Sequence, residues 1–198
     1  MEKNKKIIIT IAVILAVIAV IATIVLVNNS KTEDDKKLAS KLNIQTTEEL
    51  ENLVDKIYEG TPEENMPMLQ SMLIDINDKD MVSSLIGFDS TEKIDAIVAS
   101  EPMMSSQAYS MVLVKVKDTK DANEIAKKIN ESVNPNKWIC VSAEKIYTTS
   151  IDNIVCLVMS DEEVAKPVFE NFKKLAGKVG QEYVREGDNG IIDDPELW

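Results

Sequence analysis

The sequence lacks histidine, and its 198 residues include two cysteines, one arginine and few aromatic side chains. Histidine is the usual general base near neutral pH and a common zinc ligand, so its absence excludes Ser-His and Cys-His catalysis. Two cysteines, Cys140 and Cys156, are too few for a thiolate zinc site or a multi-bridge disulfide scaffold. The formal net charge of −12 argues against a nucleic-acid partner, because phosphate binding depends on lysine and arginine.

A long hydrophobic run near the N-terminus predicts a transmembrane helix. Residues 7–27 begin at Ile7 and end at Val27, and only Thr10 and Thr23 among them are neither aliphatic nor alanine. As a helix, this run would be about 31 Å long, which matches a hydrocarbon core of about 30 Å. A cleavable signal peptide has a shorter apolar region, of about 7–15 residues, and a small-residue cleavage site. We therefore expect an uncleaved anchor that contacts the lipid bilayer from Ile7 to Val27.

The charges on either side of this run predict its orientation. Lys3, Lys5 and Lys6 precede it in a stub of residues 1–6, whereas acidic residues dominate the chain that follows. The positive-inside bias then leaves the stub in the cytoplasm and residues 31–198, with a net charge of −14, outside. The sequence thus predicts a single-pass protein of the cell membrane with an extracytoplasmic C-terminal domain.

The remainder of the chain is expected to form one α+β domain. Residues 28–45 are polar and indicate a spacer, residues 46–177 the folded domain, and residues 178–198 an acidic tail for which we expect disorder. Within the domain, helical and strand patterns follow the order helix, strand, helix, two strands, helix, two strands, helix. This order predicts a mostly antiparallel sheet of about four to five strands packed by helices.

Local signals place the individual elements. Helix starts are expected at Thr46 with Glu49, at Asp78, at Asp118 or Thr119, and at Ser160 with Glu163. Strands are expected over residues 68–76, 94–98, 109–116, 142–149 and 153–159, with a tight turn near Ile151 and Asp152. The alternation over 94–98 indicates a half-buried strand, and the apolar run over 109–116 an interior one. Pro167 should kink or restart the last helix.

Two clusters invite a chemical interpretation. Ser142 and Lys145 have the S-x-x-K spacing of penicillin-recognising enzymes, but their predicted strand would point them to opposite faces, and the S-D-N and K-T-G partners are absent. We interpret this match as chance.

The second cluster has the oxygen ligands that calcium prefers. It consists of Asp75, Asn77, Asp78 and Asp80, but an EF-hand counted from Asp75 would have Asp80 and Ile86 where it needs Gly and Glu. Helix capping by Asp78 is the simpler interpretation, with a weak surface calcium site as the alternative. We therefore predict no catalytic, cofactor-binding or metal-ligating set.

The sulfur-containing residues carry two further expectations. A turn near Ile151 would place Cys156 opposite a residue around 147 and several residues from Cys140, whereas a disulfide needs Cα atoms within about 7 Å. Two buried free thiols are therefore expected, and a disulfide is the alternative. Met103 and Met104 follow Pro102 between two strands and are expected in the core, since methionine commonly fills core gaps. Exposed methionines would instead indicate a groove for a partner.

Three stretches carry a family resemblance. They are DMVSSLIGFD (80–89), KIDAIVASEPMMSSQAYSMVLVKVKD (93–118) and DNIVCLVMSDEE (152–163). In the order of their elements and the positions of their turn and loop residues, they resemble a family of uncharacterised bacterial extracytoplasmic domains that are tethered by a lipid or an N-terminal helix. This chain departs from the family in lacking a lipobox cysteine and in its acidic tail. The resemblance implies location and fold, and it carries no activity.

The sequence leaves three hypotheses for function. The first is a membrane-anchored, non-enzymatic domain that binds an envelope protein or an external ligand. The second is an envelope hydrolase that uses paired carboxylates, which could do acid–base chemistry without histidine. The third is an accessory subunit whose anchor helix packs in a larger membrane complex, although the run offers Ala12, Ala16 and Ala19 rather than G-x-x-x-G.

Overall fold

A computed structural model of the chain describes residues 42, 44–62, 66–104 and 106–187. The predicted stub, the hydrophobic run from Ile7 to Val27, most of the predicted spacer and residues 188–198 lie outside the described residues. Among the residues that are described, no helix combines the length and apolar character needed to cross a membrane.

The described chain forms one six-stranded antiparallel sheet and four α-helices. In chain order the elements are α1 (Thr47–Glu59), β1 (Leu69–Leu73), α2 (Lys79–Ile86), β2 (Ile94–Pro102), β3 (Tyr109–Val116), a 3-10 turn (Thr119–Asp121), α3 (Ala122–Ser132), β4 (Lys145–Ile151), β5 (Ile154–Ser160), α4 (Glu162–Ala176) and β6 (Tyr183–Glu186). The strands lie in the order β1-β2-β3-β5-β4-β6, and every neighbouring pair is antiparallel. The predicted α+β class and antiparallel sheet are confirmed, whereas the predicted four to five strands are one or two too few.

Helices cover both faces of the sheet. Each face has its own hydrophobic core, and successive side chains of β3 alternate between the two cores. Val112 and Val114 pack with α2 and α3, and Met111 and Leu113 pack with α1 and α4. The prediction of an interior strand over 109–116 is therefore confirmed. The half-buried pattern predicted for 94–98 is wrong, because both faces of β2 are covered and Asp95 is the exposed residue of that stretch.

Several predicted helix ends and turns are confirmed. The Thr46 hydroxyl accepts from the Glu49 backbone N–H at 3.2 Å, and the Glu49 carboxylate accepts from the Thr46 N–H at 3.0 Å, which forms the expected capping box of α1. Asp78 caps α2 by accepting from the Met81 N–H at 3.0 Å. Gly87 ends α2 with a left-handed φ of 83°, a conformation that glycine adopts without strain. Asp152 has a φ of 48° in the turn between β4 and β5.

The start of α4 differs from its prediction. Ser160 is the last residue of β5, and its hydroxyl donates to the Ala108 carbonyl at 2.6 Å, so it is not available as a helix cap. The Glu144 carboxylate instead accepts from the Glu162 backbone N–H at 3.2 Å. The helix is one element through Pro167 rather than two, since a proline in the second turn removes a single backbone hydrogen bond.

The end of the domain also lies further along the chain than expected. Residues 183–186, which the composition assigned to the acidic tail, form β6 and pair with β4 from Lys145 to Thr148. Tyr183 packs against the core, and Arg185 donates to the carbonyls of Asn130 and Val133, both at 2.7 Å. Composition could not reveal this strand, because half of its residues are charged and the strand is four residues long.

Candidate functional site

The backbone of β1 is paired on one side within the described part of the chain. Ile74 N–H donates to the Ile97 carbonyl, and Met103 N–H donates to the Met68 carbonyl, both at 2.9 Å. The register between these pairs is unbroken, so even-numbered residues of β1 bond to β2. The N–H and C=O groups of Leu69, Ser71 and Leu73 therefore point away from the sheet. We call this outward row the β1 edge.

The β1 edge lacks two usual protections against strand pairing. Its sequence, LQSML, contains no charge and no proline, two devices that commonly blunt edge strands. Apolar side chains beside it are exposed: 72% of Met68, 48% of Leu73 and 60% of Met103 is accessible. The expected burial of Met103 and Met104 is wrong, because burial along β2 falls off at its last two residues and both methionines lie beyond them. The edge is thus an uncharged strip whose outward backbone groups have no strand partner among the described residues.

An apolar pocket opens beside β1 on the α2 face of the sheet. Its volume is about 240 Å³. We call it the methionine pocket, and its lining consists of Met72, Ile74, Met81, Ser84, Leu85, Ala99, Glu101, Lys137 and Trp138. Small-molecule sites typically enclose about 300–1,000 Å³, so this pocket is better matched to one or two side chains than to a whole ligand.

A charged cluster closes one wall of the methionine pocket. Lys137 Nζ lies 2.8 Å from Glu101 Oε1 and 3.1 Å from Ser110 Oγ, and the Ser110 hydroxyl donates to the same Glu101 oxygen. Only 10% of the Lys137 side chain and 20% of the Glu101 side chain is exposed. Burial lowers the pKa of Lys137, and the Glu101 charge opposes that shift.

This cluster superficially resembles a Ser-Lys catalytic pair, but its charges do not suit that chemistry. The lysine of such a pair must be neutral in order to take the serine proton. Lys137 instead donates to a carboxylate, and the Ser110 proton is already directed at the same carboxylate. Ser110 is also fully buried. The cluster therefore satisfies buried polar groups beneath the pocket, and it supplies no nucleophile.

A second pocket lies beside β1 on the opposite, α1 face. Its volume is about 330 Å³, and we call it the acidic pocket; it is lined by Asp55, Tyr58, Glu59, Thr61, Met66, Pro67 and Leu69. The hydroxyl of Tyr58, which lines this pocket, lies 2.9 Å from the Tyr109 hydroxyl. Burial raises the pKa of both phenols, so they stay neutral hydrogen-bonding groups. The β1 edge thus lies between an apolar pocket on one face and a negatively charged pocket on the other.

A third cavity, of about 330 Å³, contains the groups closest to the hydrolase hypothesis. It is lined by Ser142, Ser160, Asp161 and neighbouring residues. Burial, together with the charges of Glu144 and Glu163, raises the pKa of Asp161. A glycosidase-type mechanism needs two carboxyl groups across one site. No second carboxyl group lines this cavity among the described residues, so the hydrolase hypothesis gains one candidate group and no pair.

The S-x-x-K residues have different neighbours. Ser142 lines the third cavity, whereas Lys145 begins β4 and forms ion pairs with Glu186 and, at 3.7 Å, with Glu162. The Glu186 carboxylate raises the pKa of Lys145, which is the opposite of what a lysine general base requires. The interpretation of this motif as chance is consistent with that charge state.

The predicted calcium ligands form local backbone contacts. The Asp75 carboxylate accepts from the backbone and side-chain amides of Asn77, both at 2.9 Å, which lowers the pKa of Asp75. Asp78 is occupied as the cap of α2. Within the described ranges, no three acidic or cysteine side chains converge as a metal site would require.

The cysteines are unpaired, but they do not share one environment. Cys156 is buried in β5 opposite Thr149, two residues from the predicted position, and burial raises the pKa of its thiol. Cys140 is exposed and has a φ of 61°. The expectation of free thiols holds in the structure, and the expectation that Cys140 is buried is wrong, because the connection that follows α3 lies on the surface.

The sequence carries little signal for the residues that form this site. Glu101 and Lys137 are 36 positions apart, and neither belongs to a motif. Asp55 and Glu59 have i, i+4 spacing on an exposed helix face, which is the pattern of an ordinary solvated surface. The exposed-methionine alternative was the one sequence signal that pointed to this region.

Comparison with known proteins adds no assignment. No protein-family model matches the chain, and neither characterised proteins nor solved structures yield a match. The resemblance to tethered extracytoplasmic domains therefore stays a prediction.

Proposed function

We propose that this chain is a membrane-anchored, extracytoplasmic binding domain that takes up an extended segment of another envelope protein at the β1 edge. The observation that carries this proposal is the uncharged β1 edge, with the backbone of Leu69, Ser71 and Leu73 directed outward between two pockets. Addition of a strand to such an edge is a common mode of peptide recognition, in which backbone hydrogen bonds provide affinity and flanking pockets provide specificity.

The membrane part of the proposal rests on the sequence. The uncharged run from Ile7 to Val27 has the length of a bilayer span, and Lys3, Lys5 and Lys6 favour a cytoplasmic N-terminus. The resemblance to tethered extracytoplasmic domains supports the same location. Such an anchor would keep the domain outside the cytoplasm, where envelope proteins are its potential partners.

Site-specific photo-crosslinking in intact cells tests strand addition. A photoreactive residue at Leu73 is compared with one at Val184 on β6, which is also exposed and lies at the opposite edge. We expect a discrete protein adduct from position 73 and none from position 184. The adduct should disappear when Ser71→Pro removes an outward N–H and should persist with Ser71→Thr, which keeps it. An adduct that survives Ser71→Pro, or no adduct at position 73, would refute strand addition.

Protease treatment of whole cells tests the location. An extracytoplasmic domain should be digested in intact cells, while a cytoplasmic marker protein stays protected. Protection of residues 46–187 until the cells are lysed would contradict the proposed orientation.

A further inference from the structure

We infer that the segment taken up at the β1 edge alternates aliphatic and basic side chains, with the aliphatic ones in the methionine pocket and the basic ones at the acidic pocket. This inference rests on the proposed function and adds the chemistry of the partner. It follows from the alternation of a strand between the two faces of a sheet and from the difference between the two pockets.

The geometry of β1 assigns each partner residue to a face. Met72 and Ile74 line the methionine pocket, whereas Leu69 lines the acidic pocket, so even and odd positions belong to different faces of the sheet, each with its own pocket. In a paired strand, a residue projects its side chain to the same face as the residue directly opposite. A partner residue opposite Met72 or Ile74 therefore lies on the face of the methionine pocket, and one opposite Leu69 lies on the face of the acidic pocket.

The methionine pocket selects an aliphatic side chain. The charges in its wall, Lys137 and Glu101, already neutralise each other at 2.8 Å and leave no free charge for a partner. Met72 and Met81 have flexible, polarisable side chains that adapt to aliphatic groups of different shape. A charged side chain would lose its hydration there without a counter-ion.

The acidic pocket selects a positive side chain. Asp55 and Glu59 line it, and neither forms an ion pair with another described residue. Helix α1 adds to the negative potential, since its exposed charged residues are Glu48, Glu49, Glu51, Asp55, Lys56 and Glu59. Lysine or arginine at alternate partner positions would approach these carboxylates from the β1 edge. Residues 31–198 carry a net charge of −14, which also favours encounter with a basic segment.

Peptide binding to the full chain in detergent micelles tests this inference. Three nine-residue peptides are titrated by fluorescence anisotropy: alternating Val and Lys, alternating Val and Glu, and the Val–Lys composition arranged as two blocks. We expect the alternating Val–Lys peptide to bind at least about tenfold more tightly than the other two. Asp55→Asn combined with Glu59→Gln should weaken this binding about tenfold and reduce its salt dependence. Met81→Gln should also weaken it, because the pocket then loses apolar lining.

A matched double variant controls for general attraction between a basic peptide and an acidic protein. Asp152→Asn with Glu163→Gln also removes two negative charges, one from the β4–β5 turn and one from α4. This variant should keep the peptide affinity within about twofold of the original value. Equal losses in the two double variants would overturn the inference, as would no binding of the alternating Val–Lys peptide. Binding that requires removal of residues 188–198 would also overturn it, because the chain's own C-terminal segment would then be the occupant.

The Ser71→Pro variant separates this inference from the proposed function. If all three peptides bind equally and all lose binding in Ser71→Pro, the inference fails and strand addition stands. If the alternating Val–Lys peptide binds equally well to Ser71→Pro and Ser71→Thr, strand addition itself fails.

Discussion

The two edges of the sheet are built in opposite ways. At one edge, β6 carries Arg185 and Glu186: Arg185 hydrogen-bonds to carbonyls at the end of α3, and Glu186 forms an ion pair with Lys145. At the other edge, β1 carries no charge and exposes Leu73 beside outward backbone groups. Charged side chains on an edge strand discourage pairing with a second chain. The contrast indicates that pairing is suppressed at β6 and permitted at β1.

The end of β6 is also held sterically. Gly187 N–H donates to the Glu144 carbonyl at 2.7 Å, and a Cβ atom at Gly187 would lie 1.6 Å from the Ala143 carbonyl oxygen. Only glycine allows the backbones to approach this closely. As at β6, no described strand covers the outer side of β1. Among the described residues, the end of β6 is therefore fixed by specific contacts, and neither edge is covered by a further strand.

The largest expected effect on stability comes from a proline substitution in β1 at a residue whose N–H bonds to β2, rather than at one whose N–H points outward. Gln70→Pro removes an N–H that bonds to β2 and should lower the free energy of unfolding by about 3 kcal/mol or more. Ser71→Pro removes an N–H that points outward and should cost less than about 1 kcal/mol. Urea unfolding followed by tryptophan fluorescence measures both values. Equal costs would show that the outer side of β1 is already paired.

The next effect concerns the charged cluster beneath the β1 edge. Glu101→Gln leaves the Lys137 ammonium buried without a counter-ion, and we expect a loss of about 3 kcal/mol in unfolding free energy. Combining Glu101→Gln with Lys137→Met should recover most of that loss, since no unpaired charge remains. The same urea titration measures single and double variants. A double variant as unstable as Glu101→Gln alone would argue against an ion pair as the source of the effect.

A smaller effect is expected at the β6 edge. Arg185→Met removes two hydrogen bonds from a charged donor to the carbonyls of Asn130 and Val133, which should cost about 2 kcal/mol. Hydrogen exchange of the β6 amides should accelerate more than that of the β1 amides, because the lost contacts hold β6. Unchanged protection of β6 would mean that its pairing with β4 suffices without the arginine.

The smallest effect on stability, and the sharpest test of the contrast, comes from adding one positive charge to each edge. Leu73→Lys and Val184→Lys replace exposed residues, so each should change the unfolding free energy by less than about 0.5 kcal/mol. Leu73→Lys should nevertheless reduce binding of the alternating Val–Lys peptide, whereas Val184→Lys should leave that affinity unchanged. Equal effects of the two substitutions on peptide affinity would remove the distinction between the edges.

Local sequence signals predicted the parts of the fold that depend on local physics. Thr46 and Glu49 form the expected capping box, Asp78 caps α2, and the turn at Asp152 lies where the polar interruption placed it. Each feature depends on contacts between residues at most four positions apart. Ser160 and Glu163 have the same capping pattern, but the predicted cap does not form. The Ser160 hydroxyl instead donates to the carbonyl of Ala108, 52 positions away.

The candidate site was largely beyond prediction. The two pockets combine residues from distant elements, such as Met72 with Lys137 and Asp55 with Leu69. Exposure of Met103 was foreseen as an alternative and not as the expectation, since methionine suits a core and a surface groove equally well. No spacing rule in the sequence distinguishes β1, an edge strand of the described sheet, from the interior strands.

The sequence by itself determined the acidic charge, the absence of histidine chemistry, the α+β class and the approximate positions of most helices and strands. These follow from composition, hydrophobic period and local hydrogen bonding, which need no knowledge of distant residues. Only the tertiary structure decided that β6 and β1 are the edge strands of the described sheet, that contacts of Arg185 and Glu186 hold β6, and that β1 has an apolar and an acidic pocket on its two faces. Strand order and side-chain convergence depend on pairings between residues far apart in the chain, and the local pattern is compatible with more than one such arrangement.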